Sequence, residues 1–198
     1  MMDHSSYEQY RTLAMDHYSR WFGPPIALRK VPNHEDRPEL SLASFEANEV
    51  VSGCRLHTTL GFGAQGLPGR NKPRIRHEFA TFADDSVSSE LATGLMCALA
   101  DLVAIQHLAA IKGDIFATGP IDLPRSAIEG FFAYAPVYLP DEFQVIQDEI
   151  VVVYMIPITD SEGKFVRDVG HEAFVDLLVE QDPPLWDWSR PDLELPDL

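Results

Sequence analysis

Cysteine is nearly absent from this chain: Cys54 and Cys97 are the only two among 198 residues. They lie far apart and form no CxxC or metal-type spacing, so neither a disulfide scaffold nor a zinc ribbon is encoded. Both are read as reduced, buried thiols of a cytoplasmic protein, with one disulfide between them as the alternative. Basic residues are also scarce, 15 Lys and Arg against 31 Asp and Glu, a formal net charge of −16. Phosphate contacts need a basic face, so no nucleic-acid partner is expected. An uninterrupted apolar run of about 20 residues, the length of a membrane span, is missing as well. The nearest approach, residues 91–111, is broken by Asp101, Gln106 and His107. An aspartate at mid-membrane would cost about 3 kcal/mol. The stretch is read as a core helix, and no membrane partner is expected. The opening residues, MMDHSSYEQY, are polar and acidic and lack the apolar core of a secretory signal.

Catalytic signatures are missing too. No serine sits in a GxSxG elbow, and none of the seven histidines falls in HxH or HExxH spacing. His77-Glu78 and His171-Glu172 are adjacent pairs without a second ligand in sight. Cys54 lies three residues before His57, but positions three apart on a strand point to opposite faces. Residues 61–66, Gly-Phe-Gly-Ala-Gln-Gly, spell GxGxxG. A dinucleotide fingerprint needs a helix directly after it, and Leu67-Pro68-Gly69 stands there instead. The 61–73 stretch is read as a flexible connection whose Arg70, Lys72, Arg74 and Arg76 pair with the acidic surface. No catalytic, cofactor-binding or metal residue is nominated, and no cofactor is expected. Scattered histidines and carboxylates leave a metal-dependent hydrolase as an alternative.

What is present is a clear alternation of helical and strand patterns. Ser5 and Glu8 have capping-box spacing before a helix whose apolar face is Tyr7, Tyr10, Ala14, Tyr18 and Trp21. Gly23-Pro24-Pro25 stops it. Residues 31–38 are polar and turn-rich. Residues 40–60 give two strand-like pieces, with Leu40, Leu42, Phe45, Val51 and 56–60 as their apolar positions. Residues 75–82 alternate, with Ile75, His77, Phe79 and Thr81 on one side and Glu78, Ala80 and Phe82 on the other. A helix is expected over 88–111, ending at Gly113 and preceded by Asp84-Asp85, whose charge suits a helix N-terminus. Strands are expected over 131–137 and 150–156. Pro157 has no N–H and is placed at the second strand's end. Thr159 and Glu162 form a second capping-box pair. Phe165, Val166 and Val169 follow at helical spacing, Gly170 ends that helix, and another runs over 171–180 with Phe174, Leu177 and Leu178 inward.

The order α, β-rich, α, β-rich, α implies an α+β single domain, with a mostly antiparallel or mixed sheet packed by helices. The domain is drawn over 1–181 and a proline-rich acidic tail over 182–198. Trp186 and Trp188 either anchor that tail to the body or face a partner. From Asp141 onward fifteen Asp and Glu face three Lys and Arg, so −12 of the −16 lies there. Such a surface steers a basic protein partner, and it also serves solubility.

Four features together resemble the suppressor of fused domain family. They are Val153-Tyr154-Met155-Ile156-Pro157-Ile158-Thr159 with Glu162; Gly170 with Phe174-Val175-Asp176-Leu177-Leu178; Thr58-Thr59-Leu60-Gly61 with the strand at 76–82; and Arg190. The similarity spans residues 21–191, and the Pro-Ile-x-x-x-Glu element is its most specific part. GFGAQGLPGRNKPR departs from the compact pattern as an insertion. The resemblance implies a mixed α/β domain without enzymatic activity. Animal members sequester a transcription factor by binding a peptide of it. Bacterial stand-alone members of this size resemble immunity proteins that bind a cognate polymorphic toxin inside the producing cell. The resemblance therefore implies a protein partner, with a basic toxin as the expectation. A regulatory scaffold that captures a peptide by strand addition is the remaining alternative.

Overall fold

A computed structural model describes residues 4–32, 39–46, 52–70 and 72–196. Among the described residues, four helices pack on one nine-stranded mixed sheet. The elements in chain order are α1 His4–Phe22, β1 Ala27–Val31, β2 Leu40–Phe45, β3 Cys54–Leu60, β4 Leu67–Gly69, β5 Lys72–Asp84, α2 Ser89–Gln106, β6 Ile115–Ala117, β7 Ile128–Tyr134, β8 Val145–Ile146, β9 Ile150–Thr159, α3 Asp160–Val169 and α4 His171–Gln181. The sheet order is β1-β2-β3-β5-β9-β7-β6, with β4 on β5 and β8 on β9. Every pairing is antiparallel except β5 with β9, where Arg76 to Ala80 run beside Ile150 to Tyr154.

Both faces of the sheet are covered, which is why β2 is buried along its whole length and β9 nearly so. On one face α2 contributes Ala92, Met96, Leu99, Ala100, Val103 and Ala104 to a core with Leu42, Phe79, Phe131, Val153 and Met155. Alanine on this stripe lets the helix backbone close on the strands. The helix is long and apolar enough to cross a membrane by length and composition, and its apolar stripe is spent on the sheet. On the other face Ala14, Tyr18 and Phe22 of α1, Phe165 and Val166 of α3 and Phe174 of α4 join Phe45, Leu56, Phe82, Tyr154 and Ile156. Phe143 sits among the rings of His17, Tyr18, Trp21 and Phe22, and its carbonyl accepts from His17 Nε2 at 3.0 Å.

Several sequence expectations shift. The first helix begins at His4, and Glu8 accepts from Arg11 at 2.6 Å; the side chain of Ser5, and with it the expected Ser5–Glu8 capping pair, is outside the described residues, as are Val51 and 33–38. The α2 helix has Ser88 as its cap, with Oγ accepting from Leu91 N–H at 3.1 Å, and it stops at Gln106 instead of 111. His107 takes a left-handed conformation there (φ 51°) and its N–H closes on the Ala104 carbonyl. Such a stop is invisible to a rule that looks for glycine or asparagine. The strand expected over 131–137 runs from Ile128 to Tyr134. β9 continues past Pro157 to Thr159, because the β5 pairing ends at Tyr154 and only β7 needs partners beyond it. The capping box after β9 stands as expected: Thr159 Oγ1 accepts from Glu162 N–H, and the Glu162 carboxylate accepts from Thr159 N–H at 3.1 Å. Gly170, at φ 117°, ends α3 and begins α4.

The 61–73 stretch is not the flexible connection expected. Residues Phe62–Gln65 form a buried 3₁₀ turn, and β4 pairs with the start of β5. Arg74 donates to the Gly66 and Gln65 carbonyls, and Arg76 to those of Gly63 and Ala64. Two of the arginines expected to meet surface acids therefore hold the loop's own backbone. Arg70 does pair with an acid, Asp114, at 2.7 Å.

Candidate functional site

The glycine turn is built around a carboxylate. Glu78 is fully buried and accepts N–H bonds from Gly61, Phe62 and Gly63 at 2.9, 3.2 and 3.0 Å. Thr59 adds its hydroxyl at 2.6 Å, while its oxygen accepts from Phe79 N–H. Backbone N–H groups converging on one point are what a phosphate loop offers. Here Glu78 consumes them, which is a positive reason why this GxGxxG does not cradle a pyrophosphate. Burial pushes Glu78 up to about 7, against the pull of its four hydrogen bonds. The sequence carried one signal of this role: a glutamate on the same strand side as Ala80 and Phe82.

The remaining candidates separate in space. Cys54 belongs to the core of the α1 face, its thiol pushed up to about 12 by burial. His57 is buried, pushed down to about 4 by burial, and bonded through Nδ1 to Ser44 Oγ at 2.9 Å. His77 is buried beside Phe62 and Phe79, is also pushed down to about 4, and leaves Nε2 unpartnered. Among the described residues no three His, Cys, Asp or Glu side chains gather as a metal site.

The irregular segment 182–196 lies across the end of the sheet and contributes to both cores. Leu185 and Leu193 enter the core beneath α1, α3 and α4, and Trp188 enters the core beneath α2. Trp188 Nε1 donates to the Phe82 carbonyl at 2.9 Å, and Asp84 N–H donates to the Trp186 carbonyl. Arg190 is buried and forms a two-pronged pair with Glu162, at 2.6 and 2.7 Å. Trp188 is thus an anchor on the body, while Trp186 is half-buried and packs edge-on to Tyr138.

Two surfaces remain open. Every acidic residue from Asp141 to Glu194 except Glu162 keeps access to solvent, with Lys164 and Arg167 as the exposed bases in that span. At the other end of the sheet, β1 is an edge strand exposed along nearly its whole length. Beside it, between β1 and the start of α2, lies an open groove of about 430 Å³ lined by Leu28, Arg29, Leu42, Ser44, Glu90 and Thr93, among others.

A mixed sheet covered by helices on both faces, with an exposed edge strand at β1, defines a single α+β domain. Residues 36–191 match the Suppressor of fused protein (SUFU) family, and this chain belongs to it. No curated protein matches the sequence. Among solved structures, a SUFU homologue from Neisseria gonorrhoeae superposes with a TM-score of 0.79 at 14% identity, over 96% of this chain and all of that one. The Sufu chain of a Sufu–Fu complex gives 0.68 at 9% identity, covering 92% and 91% of the two chains. Drosophila Suppressor of Fused gives 0.67 at 9% identity, over 90% of this chain, which spans 49% of the Drosophila protein. At these identities the likeness shows the fold.

Proposed function

We propose that this chain is a non-catalytic cytoplasmic binding protein whose partner is a basic toxin, and that it acts as an immunity protein by covering that toxin's active site. The observation that carries the reading is the charge of the surface beyond Asp141. Thirteen acidic side chains between Asp141 and Glu194 reach solvent there, against two bases, because Arg190 is spent inside the protein on Glu162. A field of one sign accelerates capture of an oppositely charged partner and weakens with salt. The Sufu of the Sufu–Fu complex, a structural relative, is itself seen bound to a protein, which supports the general mode.

Co-expression with the products of neighbouring genes, followed by purification at low and high salt, tests the reading. The expected result is a basic protein retained at low salt, released as salt rises, and inactive as a toxin while bound. Retention of no basic protein at low salt overturns it. Stoichiometric transition metal in untagged protein would restore the metal-hydrolase alternative.

A further inference from the structure

We propose that the outer edge of β1 is a second binding site, which takes an extended segment of another protein as an added strand alternating apolar and acidic residues. The β1 strand pairs with β2 on one side, and among the described residues no strand pairs with the other. An edge strand carries alternate N–H and C=O groups aimed away from its neighbour, ready to pair with a further strand. Ile26, just before β1, and Leu28 within it are each 49% exposed. Since α2 packs on β2, β3 and β5, the strip between β1 and the helix start stays open as the groove floored by Leu42 and Ser44.

Charge selects the occupant. Lys30 is engaged by Glu8 and Glu39 on the α1 side, whereas Arg29, on β1 itself, has no ion-pair partner among the described residues and lines the groove together with Glu90 of α2. A strand laid beside β1 therefore places a side chain next to an unpaired guanidinium, and an acidic one is favoured. The same residue opposes a second copy: antiparallel self-pairing centred on Arg29 sets two guanidinium groups face to face. In the sheet order β1 is one edge and β6 the other, and α3 packs on β7 and β9 toward the β6 end.

The test uses the full chain and three capped nine-residue peptides. One alternates valine with glutamate, one replaces glutamate by lysine, and one is the glutamate peptide N-methylated at alternate positions. Backbone amide shifts are followed by NMR during titration, with wild type and Arg29→Glu. The glutamate peptide is expected to shift the amides of Ala27–Val31, with the lysine peptide about tenfold weaker, from the change of an attractive to a repulsive cross-strand pair. The preference reverses in Arg29→Glu, an exposed position whose exchange leaves the core intact. N-methylation abolishes binding where main-chain bonds carry it. Unshifted β1 amides at millimolar glutamate peptide overturn the proposal, as do equal affinities for both charges or unimpaired binding of the methylated peptide. A dimer in sedimentation, with β1 amides protected before any peptide is added, assigns the edge to a second copy and overturns it too. None of these results depends on whether a basic toxin is retained in the co-purification.

Discussion

Arg190 and Glu162 meet fully buried, 28 residues apart in sequence, through two parallel hydrogen bonds of 2.6 and 2.7 Å. Glu162 is at the same time the reciprocal residue of the capping box that starts α3. Its carboxylate further accepts from Leu193 N–H at 3.0 Å, and Arg190 donates to the Pro157 carbonyl. One ion pair thus ties the final segment to the end of β9 and the first turn of α3. Removing one member leaves a buried charge without its counterion, which is the costly way to break such a pair.

Arg190→Met is therefore expected to destabilise the protein by about 3–5 kcal/mol. The double variant Glu162→Gln/Arg190→Met is expected to lose less than the sum of the two single losses. Urea denaturation of all four proteins measures this. Strict additivity would mean that the two side chains do not act as a pair.

Gly61→Ala is expected to cost about 2–4 kcal/mol. Gly61 sits at φ +92°, and an added Cβ would lie 2.4 Å from Tyr7 Cε2, in a ring held by its bond to Ser41. Gly53→Ala is the control. Its φ is +78° with nothing within 4 Å of an added Cβ, so only the backbone penalty of about 1 kcal/mol applies. Equal losses at the two sites would remove Tyr7 from the explanation.

The pH dependence has two opposing parts. His57 and His77 are held near 4, below the ordinary 6.5, by burial. The unfolded chain therefore binds protons that the native one refuses, and the stability these residues allow is lost as pH falls from 6.5 through 4. His77→Phe is expected to flatten that acid limb in urea midpoints taken from pH 4 to 7.

Glu78 acts with the other sign. Its native value near 7 lies above the ordinary 4.5, so stability falls as pH rises between the two. The stability gap between wild type and Glu78→Gln is thus expected to narrow from pH 5 to pH 8, by on the order of 3 kcal/mol. A gap that widens instead would show that the four donors outweigh burial.

Elements governed by neighbours in sequence were legible. The β-branched run of β9, the Thr159–Glu162 capping box, the aromatic stripe of α1 and the apolar stripe of α2 each need only a few adjacent residues to declare themselves. The short strands were not legible: β4, β6 and β8 hold three residues or fewer, and they exist because β5, β7 and β9 offer them partners. β1, exposed on both faces, shows no burial pattern to read. The partners of Glu78 lie 15 to 19 residues away, so its place in the glycine turn could not be seen from its neighbours.

By itself the sequence determined the α+β class, the family resemblance, the excess of acid beyond Asp141 and the local helix and strand signals, since all of these rest on composition or short-range periodicity. Only the tertiary structure decided the strand order, the parallel β5–β9 pair, the carboxylate inside the glycine turn and the Arg190–Glu162 pair beneath the final segment. Those depend on burial and on donors and acceptors brought together from distant points of the chain. Which side chains share a dry space, and which edge is left without a neighbour, is settled when the layers close.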